Sequence, residues 1–159
     1  MSILWIQDKC GDGMIDEKKL LKDGWIKSRL WFEVMATSKE ITEKTLKDHV
    51  EKIKTVEGVK IGKVKFEKVE EVKEIPQNFK LRNVNKLFSQ AVNVEIFTDS
   101  VEKLLLVVML FGPSAIEVLE PKKFELGLVT IQTIMNSVAD LIHRFAATSL
   151  GGIIVEAKK

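Results

Sequence analysis

Between Leu30 and Leu119 four stretches alternate apolar with polar side chains, and two helix-forming stretches interrupt them in a fixed order. Leu30, Phe32 and Val34 alternate with Trp31, Glu33 and Met35, which predicts a strand with one apolar face, because successive side chains of a strand point to opposite sides. Thr37 followed by Glu40 has the spacing of a capping box, in which hydroxyl and carboxylate satisfy the free amides of a helix start. Leu46, Val50 and Ile53 then recur at helical spacing, with Gly58 as the expected stop, so a helix of about four turns follows the strand. Val59, Ile61, Val64, Phe66 and Val69 predict a long second strand whose phase slips near Gly62, a natural place for a bulge. Pro76 and its polar neighbours make residues 73–88 a loop. Val92, Val94 and Ile96 alternate with Asn93, Glu95 and Phe97 in a third strand. Asp99 and Glu102 repeat the capping spacing before an apolar helix from Val101 to Phe111, which Gly112 and Pro113 end. Ile116 and Val118 alternate with Glu117 and Leu119 in the fourth strand.

The resulting order is β-α-β-β-α-β. With right-handed crossovers it gives an antiparallel four-stranded sheet carrying both helices on one face, an α+β fold of ferredoxin-like type. Residues 1–24 are expected to be an appended segment with a short helix through Leu20 and Leu21 that Gly24 ends, residues 25–121 the core, and residues 122–159 a long helix and tail, with Pro121 at the first turn of that helix. The helix from Val101 to Phe111 is apolar on nearly every side, so one sheet face cannot bury it and something else must pack on it.

The 159 residues suffice for one domain with a sizeable core. A formal charge of +2 from 25 basic and 23 acidic groups describes a mixed-sign surface rather than a nucleic-acid footprint. The lone Cys10 rules out an intrachain disulfide and a cysteine pair for a metal, which suits a reducing compartment, and the cytoplasm is the expected location. Residues 1–8 lack the basic flank, apolar core and cleavage site of a signal peptide. The longest apolar run, Leu104 to Phe111, falls far short of the roughly 20 residues a membrane span needs. Abundant Lys, Glu, Val and Ile is the bias of heat-adapted proteins.

The pieces AVNVEIFTDS, VEKLLLVVMLFG and AIEVLEP in residues 91–121 resemble the C-terminal extension of bacterial WYL-domain regulators, where a strand, an apolar helix, a glycine and a terminal strand recur. The resemblance carries no catalytic group, and the chain has no recognisable WYL core or helix-turn-helix. As a whole the chain is similar to uncharacterised archaeal proteins with a ferredoxin-like core. Both resemblances imply a fold and transfer no functional residue.

Asp8 to Asp16 resembles part of a calcium loop, but Cys10 stands at its third position and Lys19 at its twelfth, where the bidentate glutamate belongs; a glycine-rich turn is the expected reading. Cys10 would need a distant base, His49 or His143, to act as a nucleophile, and both histidines are expected to be ordinary helix residues. Period two places Glu33, Glu95 and Glu117 together on the sheet face turned away from the helices. Three carboxylates on neighbouring strands can collect a hard divalent cation or pair with basic groups of a partner, while a solvated face is the commoner outcome. Trp31, Met35, Phe97 and Leu119 share that face, so the N-terminal segment, the last helix or another subunit is expected to cover it. No phosphate loop, dinucleotide fingerprint, zinc spacing or serine-nucleophile motif occurs, and no cofactor is expected.

In the last helix Leu128, Ile131, Met135, Val138, Ile142 and Phe145 follow alternating steps of three and four, a heptad seam that Ile134 and Leu141 widen. This predicts a homo-oligomer, a dimer in the first instance. The expected function is a self-associating binding or regulatory module. The alternatives are a divalent-metal-dependent or cryptic enzyme using the glutamate face, and a weak nucleic-acid-binding protein using the lysines of residues 60–86.

Overall fold

The computed structural model describes residues 15–149. A short helix, α1 (Glu17–Lys22), opens them, its first turn held by Asp16, whose carboxylate accepts from the Lys19 amide at 3.1 Å. There follow β1 (Ile26–Ala36), α2 (Lys39–Lys54), β2 (Val59–Phe66), β3 (Glu70–Glu71), α3 (Gln77–Lys80), β4 (Phe88–Thr98), α4 (Val101–Phe111), β5 (Ala115–Glu120) and α5 (Leu128–Ser149). The sheet runs β2-β4-β1-β5 with every pair antiparallel, and β3 adds a fifth, two-residue strand beside the start of β4. This is the α+β, ferredoxin-like arrangement that the element order predicts.

The expected loop at 73–88 is not wholly irregular. It holds the single turn of α3, and β4 begins at Phe88, ahead of Val92. The early start is hidden because Leu87 and Gln90 are both buried, which breaks the simple alternation of apolar and polar residues.

Both helix caps sit one residue later than the capping spacing suggests. Ser38, not Thr37, is extended at φ −138° and accepts from the Ile41 amide at 3.2 Å; Ser100, not Asp99, is extended at φ −155° and accepts from the Lys103 amide at 3.3 Å. The cap must be the last non-helical residue, and in both places a serine fills that position. Asp99 instead ties the start of α4 to the turn between α2 and β2, its amide donating to the Gly58 carbonyl at 3.0 Å. Gly58 has φ +78°, a conformation that favours glycine, and a Cβ there would also have to push the exposed Asp99 carboxylate aside.

The core lies between the sheet and α2 and α4. Leu30 and Val94 face each other across β1 and β4, as do Phe32 and Val92, and Leu46, Val50 and Ile53 of α2 close over them, all essentially inaccessible. Each such side chain contributes about 1.5–3 kcal/mol through burial. The slip expected near Gly62 is present as a bulge between Ile61 and Val64. A side chain at Gly62 would meet the Phe97 ring at 3.1 Å, so the bulge lets β2 pass close over that ring.

The apolar α4 buries Leu104 and Val107 towards β4 and α2, and α5 packs on another of its sides, supplying the additional cover expected for it. Pro121 does not start α5. It lies behind a cis Glu120–Pro121 bond in a linker through Gly127, whose carbonyl accepts the first helical bond of α5 from Ile131 at 3.1 Å. Among the described residues no helix is long and apolar enough to cross a membrane.

Candidate functional site

On the sheet face turned away from α2 and α4, β1 presents Lys27, Arg29, Trp31 and Glu33. Arg29 is in register with Glu95 of β4 on one side and Glu117 of β5 on the other. Its guanidinium therefore stands between two carboxylates, with Nη2 at 2.9 Å from Glu95 Oε1 and Nη1 at 3.4 Å from Glu117 Oε2. Lys27 Nζ is 3.4 Å from the other Glu95 oxygen and 2.9 Å from Glu17 Oε2, so α1 joins the same row. The sequence thus yields a line of alternating charge, Glu17–Lys27–Glu95–Arg29–Glu117, lying across three strands and a helix.

Glu33 is not part of it. It is exposed and in register with Ala91, about 13 Å along β1 from Arg29. The structure brings Glu95 and Glu117 together around Arg29 and leaves Glu33 apart, and among the described residues no three or more His, Cys, Asp or Glu side chains converge as metal ligands. The guanidinium occupies the space a cation shared by Glu95 and Glu117 would need. Lys27 and Arg29 were the residues to find: carrying the alternation of β1 backwards from Leu30 puts both on the glutamate face.

Burial pushes the Glu95 carboxyl upward, but the Arg29 hydrogen bond and the Lys27 charge together outweigh it and hold the group below the usual carboxylate range. Lys27 is likewise pulled down by burial and lifted more by Glu17 and Glu95, ending above its ordinary value. Both shifts favour the charged forms of Glu95 and Lys27, so this pair at the centre of the row is suited to fixing α1 to the sheet and ill suited to exchanging protons near neutrality.

The apolar members of this face are largely enclosed. Phe97 is fully buried with the Lys27 ammonium 5.6 Å from its ring centre, Trp31 and Leu119 are half-buried, and Met35 is exposed. Next to them a shallow pocket of about 350 Å³ is lined by Asp16, Lys19, Asp23, Trp25 and Lys60, a mixed set with no preferred charge.

His49 is half-buried between the Phe32 and Phe111 rings, with Nε2 3.0 Å from the Phe111 carbonyl at the end of α4; it links α2 to α4. His143 is exposed on α5. Cys10 and residues 8–14 of the calcium-like loop lie outside the described residues, while Asp16 and Lys19 belong to the start of α1.

The second candidate is α5. It meets α4 through Ile134, which with Val101, Leu104, Leu105 and Val108 lines an apolar groove of about 200 Å³. Leu141 is half-buried too. The seam residues Leu128, Ile131, Met135, Val138, Ile142 and Phe145 are not covered: their exposure runs from 37% at Val138 to 84% at Leu128. The flank of the helix is used within the chain and the seam is left bare.

A comparison with known protein families matches residues 27–159 to the MJ0538 family. The chain belongs to the MJ0538 family. No curated protein and no solved structure matches it. The MJ0538 match begins at Lys27 and runs through α5, so the Arg29–Glu95–Glu117 cluster and the seam both lie inside the family unit, whereas α1 lies before it. What the MJ0538 match supports is kinship and extent; it names no ligand, and the likeness of residues 91–121 to WYL-domain regulators has no counterpart in it.

Proposed function

We propose that this MJ0538-family chain is a self-associating binding module whose assembly surface is the seam of α5. The observation that supports it is the bareness of six large apolar side chains on one helical stripe, between 37% and 84% exposed, on a helix whose other flank is already seated on α4. Monomeric proteins rarely leave contiguous apolar areas beyond a few hundred Å² open to water. Residues 128–139 contain no ionisable side chain, so nothing on that part of the seam resists desolvation against a second copy. Regulation is the finer part of the reading. Its support is the resemblance of β4, α4 and β5 to a regulator's extension, since α4 is the element on which α5 rests.

The test is Met135→Glu combined with Ile142→Glu. Both side chains are exposed in the single chain, so the variant keeps its fold, while burying two unpaired carboxylates in an interface costs several kcal/mol and separates the subunits. Sedimentation is expected to show a dimer for the wild type and a folded monomer for the variant. A wild type that sediments as a monomer at high micromolar concentration overturns the proposal.

A further inference from the structure

The core face of the sheet is covered unevenly. Along one row Val64, Val94, Leu30 and Ile116 lie side by side on β2, β4, β1 and β5, and along the next Ile61, Ile96, Ser28 and Val118 do the same. Val94, Leu30, Ile96 and Ser28 are sealed from water and the β2 residues are half-buried, yet Ile116 is 42% and Val118 47% exposed. The cause is the placing of the helices. Helix α2 lies over β1, β4 and β2, and α4 lies against β4 and α2, so among the described residues no helix is seated on the quarter of the core face that β5 contributes as α2 is on the rest. An apolar strip of sheet and an apolar stripe of helix are therefore both bare on one chain.

We infer that the two fit each other between copies: the α5 seam of one subunit lies on the Ile116–Val118 strip of its partner, and the partner's α5 returns the contact. This deepens the self-association proposed above and rests on it. A twofold arrangement makes each contact twice, which is what a chain bearing both halves of a complementary pair allows. β5 matches only part of α5: the six-residue strand is about 20 Å long, and the uncharged part of the seam from Leu128 to Ala139 about 18 Å, so that part is the one seated on the strip. Between Leu128 and Ala139 the seam carries no charge, and Ile116 and Val118 adjoin Leu30 and Ser28 across the strand pair; the charges bordering the contact are Glu120 of β5 and the Asp140–Arg144 pair of α5. Seam-to-seam pairing of two α5 helices would bury the stripe but leave the strip on β5 open.

The experiment is thiol trapping between differently tagged full-length chains that carry Cys10→Ser. One chain has Val118→Cys and the other Met135→Cys, and a short bismaleimide is added to each alone and to the co-expressed pair. The expected result is a two-chain product, one chain of each kind, confined to the co-expressed pair and lost when Ile116→Glu is added to the Val118→Cys chain. A dimer in sedimentation that gives no mixed product, or that cross-links mainly through Met135→Cys alone, overturns this inference while leaving self-association standing. A monomer in sedimentation overturns both.

Discussion

Glu95 shows how one residue's surroundings decide what a carboxylate is for. It sits on a central strand, buried, with a guanidinium and an ammonium on its two oxygens, and its folded titration lies below the ordinary range despite the upward push of burial. A carboxyl whose pKa falls on folding adds stability that is present above its unfolded value near pH 4.3 and is lost as pH falls through the folded value. Glu95→Gln is therefore expected to cost about 1–2 kcal/mol at pH 7, a figure reduced for the solvent access of Arg29's side of the pair. The difference from wild type should begin to shrink as pH falls below the unfolded value near 4.3 and vanish only below the lower folded value, where Glu95 too is uncharged. Urea unfolding at pH 7, 5 and 3 measures it; a cost that stays constant with pH would show that Glu95 acts by shape rather than charge. Ser28 and Thr98 are the opposite case, buried hydroxyls on the core face without hydrogen-bond partners among the described residues, and nothing in the structure explains them.

At the scale of elements, α2 and α4 begin where a serine is the last extended residue. The Ser38 hydroxyl satisfies the Ile41 amide at the start of α2, while Thr37, one residue earlier, is exposed. Ser38→Ala is expected to lower stability by about 1 kcal/mol and Thr37→Ala by a few tenths at most. Chemical denaturation of the two variants checks this, and equal losses would contradict the assignment of the cap. The same geometry at Ser100 starts α4, whose far end is closed by Gly112 in the left-handed region and by His49 reaching its last-turn carbonyl.

For the whole molecule, association and stability are one equilibrium. If folding is completed by a partner, mass action makes the thermal midpoint rise with protein concentration, by roughly 2 °C for each tenfold increase in a domain of this size. Met135→Glu with Ile142→Glu should remove that dependence and leave a midpoint that no longer varies with concentration. Calorimetric scans over two decades of concentration decide it. A wild-type midpoint that does not move would place the apolar stripe outside any self-contact.

The order of the six core elements, though not β3 and α3 between them, the apolar face of each core strand, the bulge near Gly62 and the apolar stripe of α5 were legible in the sequence, because each is a periodicity carried by neighbouring residues. The cap positions were misread by one residue, since Thr37 and Ser38, or Asp99 and Ser100, are chemically interchangeable until backbone angles choose between them. The candidate site was half legible. Period two put Glu95 and Glu117 on one face, but strand register alone set Arg29 between them and Glu33 about 13 Å away, and register is a property of paired strands rather than of either one. Which apolar surface stays bare was decided later still. Ile116 and Val118 read as core residues as plainly as Leu30 and Val94 do, and only the placing of α2 over β1, β4 and β2, with α4 against β4, leaves them exposed among the described residues.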